Sequence, residues 1–360
     1  MNVLLIGTDR SLFNPASDSG RRHAAYGAHF DEMNIIVFTQ AAQSLGARDL
    51  QVGVHVHPTA SRNRFTYGFG ALRIARRLPK PDVISAQDPF ETGLVAWVIA
   101  KRYGAPLHIQ IHTDFLAPAF VRGSFLNRVR RMIAGFVLRR AARVRVVSEG
   151  VKEGVQKRYA LLQPITVLPI FVDIEKYAGL PRIKHTRFKV ALLAVGRLEG
   201  EKQMTRAIDA LKAAREAGHD AGLIIVGSGS EEARLRAYAR EKGLERFVEF
   251  PGWQRDVRPH LSVADLLLVT SDYEGYGMVI IEALAAGVPV LSTDVGIARE
   301  AGAMVASAET FGATLVQWLT SGPRKGMLAS YPYENAEAYV QAWCDDVQAA
   351  AQKKQVNQRQ

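Results

Sequence analysis

The sequence predicts an α/β protein of two doubly wound, Rossmann-like domains, and three observations carry that reading. Short apolar runs rich in Val, Ile and Leu alternate with longer segments of helical period along the chain. Those runs lack polar alternation, which marks strands covered on both faces and hence parallel sheets with crossover helices. The alternation passes through two full cycles, more strands than one sheet holds comfortably.

In the first cycle the strand candidates are NVLLIG (2–7), NIIVFT (34–39), PDVISA (81–86), LHIQIH (107–112), RVRVVS (143–148) and ITVLP (165–169). Helical stretches such as ETGLVAWVIAKRYG and SFLNRVRRMIAGFVLRRAA lie between them. In the second cycle FKVALLAVG (188–196), AGLIIVG (221–227), RFVEFPG (246–252), ADLLLVTS (264–271) and VPVLST (288–293) play the same part. Periodicity stops in PIFVDIEKYAGLPRIKHTRFK (169–189), where Pro, Gly and charge rise, so this is the expected linker. The expected division is a first domain at 1–172 and a second at 173–335. Residues 336–360 read as a terminal helix and polar tail that can pack back on the first domain.

The chain's 360 residues suit two domains, and its composition is that of a soluble globular protein. Its single cysteine, Cys344, excludes an internal disulfide and fits a reducing compartment. The best apolar run, LVAWVIA at 94–100, falls far short of the ~20 residues a spanning helix needs. The start, MNVLLIGTDR, turns polar too soon for a signal peptide. A cytoplasmic protein is expected. Its net charge of +11 is uneven: residues 1–172 hold 23 Lys and Arg against 11 Asp and Glu, and residues 173–360 hold 23 against 24. The first half should face something anionic, a membrane surface or nucleic acid, unless the charge only serves solubility.

Four stretches of the second half fall at the ends of expected strands, where open parallel sheets bind ligands. In AVGRLEGEKQ (194–203), Arg197 and Lys202 flank a short loop before a helix, a natural diphosphate clamp or simply two loop cations. VGSGSEEARL (226–235) has Gly227 and Gly229 but Glu232 where a dinucleotide fingerprint needs its third glycine, which disfavours a classical NAD site and leaves Gly227 in a tight turn beside a nucleotide or in a plain strand–helix connection. Trp253 and Arg255, after FPG, can border a nucleobase or merely decorate a loop. In SDYEGYGMVIIEALAAGVPVLSTD (271–294), Gly275 and Gly277 free the backbone for close approach, so amides near Gly277, Met278 and Val279 can bind phosphate at a helix N-terminus. Glu274 then lies in the loop and Glu282 about one turn into the helix. One carboxylate can accept hydrogen bonds from sugar hydroxyls and the other from a ribose. A purposeless charge between Ile281 and Ala283 would be costly.

This ordered set, VGRLEGEK, VGSG, FPG and EGYGMVIIE followed by ALAAGVPVLSTDVG, resembles the retaining glycosyltransferases of group 1 (family 4) closely over most of 190–300. The resemblance implies the GT-B architecture, two Rossmann-like domains facing across a cleft, with a nucleotide-sugar held mainly by the second domain. It implies that Arg197 and Lys202 bind the diphosphate, that Glu274 holds the donor sugar and that Glu282 holds the ribose. In the first half, where the likeness is one of outline, it implies that His112 of QIHTD (110–114) lies near the reacting sugar, with Asp114 beside it on the acceptor side. The family's glycine-rich loop after the first strand corresponds to PASDSGRRHAAYG (15–27), with one glycine, Gly20, where a pair is common.

No Asp-x-Asp occurs, and no Cys/His cluster has metal spacing, so no metal or other cofactor is expected. In RGSFLNRVRRMIAGFVLRRAARVR (122–145), Phe125, Val129, Met132, Ile133 and Phe136 fall on one helical stripe with Arg128, Arg131 and Arg139 roughly opposite. ALRIARRLPK (71–80), with Arg73, Arg76 and Arg77, is a second basic amphipathic candidate. Such helices can lie against anionic lipid at the inner face of the cell membrane, or pack on the sheet with solvated arginines. The expected function is metal-free transfer of a hexose or related sugar from a UDP- or GDP-sugar, GDP-mannose among them, to a lipid-linked or envelope-glycan acceptor. An epimerase on the same scaffold is the nearest rival. A nucleic-acid-binding protein is the rival of another class, but it lacks a recognised motif and leaves the two glutamates unexplained.

Overall fold

The computed structural model describes residues 1–14 and 16–357. Pro15, which opens the candidate glycine loop, and the tail at 358–360 lie outside the described residues. The chain divides into two compact units, one comprising Met1–Pro169 with the chain from Tyr333 onward, the other Ile170–Pro332.

Unit 1 holds eight strands: β1 (Asn2–Gly7), β2 (Glu32–Val37), β3 (Arg48–Gln51), β4 (Val54–Pro58), β5 (Val83–Ala86), β6 (Leu107–Ile111), β7 (Arg143–Val146) and β8 (Ile165–Val167). They form one sheet in the order β3-β4-β2-β1-β5-β6-β7-β8, with β1 hydrogen-bonded to β2 on one side and β5 on the other. Six of them match apolar runs; β3 and β4 do not. They form an antiparallel pair at the sheet's edge, turning at Gly53, whose φ of +77° suits glycine. An edge hairpin with one wet face carries an alternating VHVHP and a polar RDLQ rather than an unbroken apolar run.

Unit 2 is a six-stranded parallel sheet of β9 (Val190–Val195), β10 (Ala221–Val226), β11 (Val248–Gly252), β12 (Leu266–Val269), β13 (Val290–Ser292) and β14 (Met304–Val305), in the order β11-β10-β9-β12-β13-β14. The two residues of β14 are too few for a sequence signal. Ala191, Leu192, Leu193 and Ala194 of β9 are fully buried, as a strand covered by helices on both faces must be. From β9 the chain moves outward to β10 and β11, then returns to lay β12 on the other flank of β9. The order therefore reverses between β9 and β12, and the crevice outside their carboxyl ends is where such sheets take ligands.

The terminal helix, Ala336–Asn357, docks on unit 1 through Tyr339, Trp343 and Asp346, spaced to share one helical face. Trp343 stacks on Tyr26 at 4.0 Å between ring centroids and donates its indole N–H to Gln110 Oε1 at 3.2 Å. Tyr26 donates its hydroxyl to Tyr339 at 2.9 Å. His108 Nε2 meets Asp346 Oδ2 at 3.0 Å, and Arg143 donates to the same carboxylate. Burial opposes the charge on Asp346, but the bonds from His108 and Arg143 outweigh it and hold the carboxyl well below its usual range. The terminal helix thus covers a polar layer, not a purely apolar one.

Candidate active site

Two loops build the crevice of unit 2. One leaves β9 and runs through Gly196 to Gln203; the other leaves β12 and runs from Thr270 to Gly277. Thr270 Oγ1 donates to the Lys202 carbonyl at 2.8 Å, and the Asp272 amide donates to the Glu201 carbonyl at 2.9 Å. Held side by side, the loops exchange ion pairs. Lys202 Nζ bonds Glu274 Oε1, which also accepts from Ser271 Oγ at 2.7 Å. Arg206, on the helix Met204–Glu216, reaches Asp272 at 2.9 Å, and within the first loop Arg197 reaches Glu201 at 2.8 Å. The residues expected from sequence to hold a diphosphate and a sugar, Arg197, Lys202 and Glu274, therefore stand together. A cavity of about 460 Å³ opens beside them, lined in part by Arg206, Ser271, Asp272, Thr293, Asp294 and Arg299.

A third loop fixes the first. A Cβ at Gly227, whose φ is +145°, would lie 1.8 Å from the Gly196 carbonyl oxygen, and one at Gly229 would lie 2.3 Å from that of Leu198. These glycines let two backbones touch, and the Leu198 amide donates to the Ser228 carbonyl at 2.9 Å. Glu199 accepts from the Ser230 amide and hydroxyl at 3.1 and 2.7 Å, tying the loops again. Trp253 and Arg255 are exposed on the loop that follows β11.

The helix Met278–Ala285 begins at Gly277, whose φ of +90° is left-handed, and among the described residues no side chain caps it. Gly275 is buried, Val279 is half-buried and Met278 is exposed at the first turn. Glu282 is half-buried in the same helix, and burial raises its pKa. Its partner is the Tyr177 hydroxyl, whose own pKa is pushed up by burial and then by the charge of Glu282. Tyr177 lies in the segment expected to be only a linker, at the end of the short helical turn Ile174–Lys176. Nothing in KYAG announces it.

In unit 1, His112 follows β6. Burial, and then the positive charges of Arg145, Arg22 and His108, push its pKa down to about 3, so the imidazole stays neutral at physiological pH. Arg145 is fully buried and donates to Gln110 Oε1 at 2.7 Å, to the Leu168 carbonyl at 2.9 Å and to the Tyr339 hydroxyl at 3.2 Å. Its signal in sequence was a charge inside the strand run RVRVVS, next to His112 in the fold but not in the chain. Asp114 Oδ1 accepts from the Leu116 and Ala117 amides at 3.1 and 3.2 Å, which turns the chain after β6.

Two expectations need correction. The candidate glycine loop is mostly helix: Asp18–Gly27 is helical, capped by Ser17, whose Oγ accepts from the Gly20 amide at 3.0 Å. Ser19, His23, Tyr26 and Gly27 give it a buried face, which the search for a glycine pair overlooked. Likewise, the second basic helix is Tyr67–Ala75, so Arg76 and Arg77 lie beyond its end and only Arg73 projects from it.

Residues 183–310 match the family model for glycosyl transferases group 1, and residues 28–176 match that for glycosyltransferase family 4. The chain belongs to the group 1 glycosyltransferases. Over 155 residues it is 36% identical to the lipopolysaccharide 1,6-galactosyltransferase of Salmonella typhimurium, covering 41% of this chain and 42% of that one. The chain spans about half the length of the curated relatives it matches. Among solved structures, sucrose-phosphate synthase of Thermosynechococcus elongatus superposes with a TM-score of 0.73 at 18% identity, covering 100% of this chain and 98% of that one. Anabaena HepE in complex with UDP superposes with a TM-score of 0.66 at 17% identity, covering both chains fully. The fold is that of the GT-B class.

Proposed function

We propose that this group 1 glycosyltransferase moves a hexose or related sugar from a UDP- or GDP-sugar to a lipid-linked or envelope-glycan acceptor, with retention at the anomeric carbon. One observation carries the donor half. At the β9/β12 switch point, Arg197, Lys202 and Glu274 converge beside the uncapped helix that starts at Gly277, with Glu282 in that helix. Cations and a helix N-terminus suit a diphosphate, and the carboxylates suit the hydroxyls on either side of it. The UDP bound by HepE supports this choice of donor class.

The reaction breaks the bond between sugar carbon 1 and a diphosphate oxygen. Positive charge develops on the sugar ring and negative charge on the leaving group. Arg197, Lys202 and the helix amides offset the latter, the work a divalent ion does in other transferases. The acceptor hydroxyl attacks on the face the diphosphate leaves and passes its proton to the departing phosphate oxygen. Neutral His112 then serves as a hydrogen-bonding partner for the sugar rather than as a charged acid.

The acceptor half rests on the surface of unit 1. Residues 50–81 and 115–148 contain no carboxylate but carry six and eight Lys and Arg, respectively. The helix Phe125–Leu138 buries Ala134, Gly135, Val137 and Leu138, leaving Phe125 78% and Met132 76% exposed between its arginines. Phe65 and Phe69 are also exposed, and the helix Glu91–Tyr103 touches both Phe125–Leu138 and Tyr67–Ala75. Arginines interleaved with exposed apolar side chains suit an anionic lipid surface. Among the described residues no helix is long and apolar enough to cross a membrane.

A thermal-shift panel of nucleoside diphosphates and their sugars tests the donor half. A ligand at 100 times its Kd adds about 2.7 kcal/mol of stability. A shift with UDP or GDP that survives EDTA is expected; no shift with any nucleotide refutes the reading.

A further inference from the structure

The loops at 197–206 and 271–274 hold three cations and four carboxylates. Arg197 pairs with Glu201, Lys202 with Glu274 and Arg206 with Asp272, while Glu199 accepts from the Ser230 amide and hydroxyl. Formal charge within these loops is therefore −1. A diphosphate arriving here meets no free positive charge unless a pair opens.

The three pairs are not held alike. Arg206 also donates to the Thr270 carbonyl, and Asp272 accepts from Gln203 Nε2 at 3.0 Å, so that pair is anchored at both ends. Lys202 and Glu274 are each mostly buried. Arg197 differs: its side chain is 73% exposed, while its partner Glu201 is only 19% exposed. Glu201 is also fixed by its backbone, in the turn Gly200–Lys202 with its carbonyl bonded by the Asp272 amide. An exposed arginine on a fixed carboxylate is the pair that opens most cheaply, because exposed ion pairs contribute little.

We propose that Glu201 is an internal counter-ion, displaced from Arg197 by the diphosphate of the donor, and that it weakens nucleotide binding by an amount set by that exchange. This rests on the reading that Arg197 and Lys202 hold the diphosphate. Glu201 touches neither sugar nor phosphate in this scheme; it acts through Arg197. After the exchange its carboxylate remains beside the bound phosphates as a fixed like charge, which favours release of the diphosphate once the sugar has gone.

Calorimetric titration with UDP and GDP tests the exchange. Glu201→Gln is expected to bind the preferred nucleotide roughly two- to fivefold tighter than wild type at low salt. The gain shrinks at about 0.5 M salt, where exposed charges are screened. Glu201→Asp, which draws the carboxylate back from Arg197, is expected to gain less. In an Arg197→Ala background, Glu201→Gln should gain less than in wild type, because the two residues act as a pair. Unchanged or weaker binding by Glu201→Gln, in a variant that melts like wild type, overturns the proposal. So does an equal gain without Arg197. If wild type binds neither nucleotide, the donor reading itself fails, and the exchange falls with it.

Discussion

Tyr177 donates a hydrogen bond to Glu282, joining the linker to the helix that carries the second glutamate. The carboxylate is costly where it sits: burial raises its pKa, so the folded chain holds the proton more tightly than the unfolded chain does. Such a group lowers stability as pH rises from its unfolded value, near 4, through its raised folded value. Glu282→Gln is therefore expected to melt higher than wild type at pH 7, with the difference gone below about pH 4. The same variant should bind UDP or GDP about tenfold more weakly, since a hydrogen bond to a charged group contributes at least about 1.5 kcal/mol. Differential scanning calorimetry and titration check the two halves separately.

Glu274→Ala separates chemistry from binding. If Glu274 holds the transferring sugar, turnover falls at least about a hundredfold while circular dichroism is unchanged. Affinity for the nucleoside diphosphate should not fall, because the variant also frees Lys202 from its partner. Retained turnover would remove the assigned role.

His112 should not shape the pH profile. With its pKa pushed down to about 3 by burial and by Arg145, Arg22 and His108, it stays neutral from pH 5 to 9. His112→Ala is expected to lower kcat about tenfold or more at every pH in that range, leaving the profile's shape intact. A limb near pH 6 that vanishes in the variant would show that the imidazole ionises during turnover.

Asp346 should govern acid tolerance. Its folded pKa lies below its unfolded one, so its contribution is complete above about pH 4 and is lost as pH falls through and below that value. Removing one partner of a buried ion pair costs about 3 kcal/mol or more. Asp346→Asn is expected to be destabilised by that amount at pH 7 and by progressively less toward pH 2, as followed by urea denaturation.

Vesicles containing anionic lipid should sediment the protein at low salt and release it at high salt. Substituting Phe125 and Met132 with Ser, and Arg128 and Arg131 with Glu, is expected to abolish sedimentation. Equal recovery on neutral vesicles would refute the lipid-facing role of the basic half.

The strands were legible where they are buried on both faces, because most of the side chains there are apolar. The edge pair β3 and β4 was not, since one wet face breaks the run. The loops carrying Arg197, Lys202 and Glu274 could be read because cations, glycines and acids cluster within short stretches. Tyr177 and Arg145 could not be placed: their partners lie 105 residues away at Glu282 and 194 residues away at Tyr339, and neither residue type is distinctive alone. Gly20 shows the opposite error, in which a glycine beside expected polar loop residues belonged to a helix with a capping serine.

The helix that completes unit 1 is made after every strand of unit 2. Until Tyr339, Trp343 and Asp346 leave the ribosome, the sheet surface bearing His108, Gln110 and Arg145 has no cover, while every strand of unit 2 is already out. The second unit can thus finish folding before the first, and the nascent chain carries an unfinished, cationic first unit until that helix emerges.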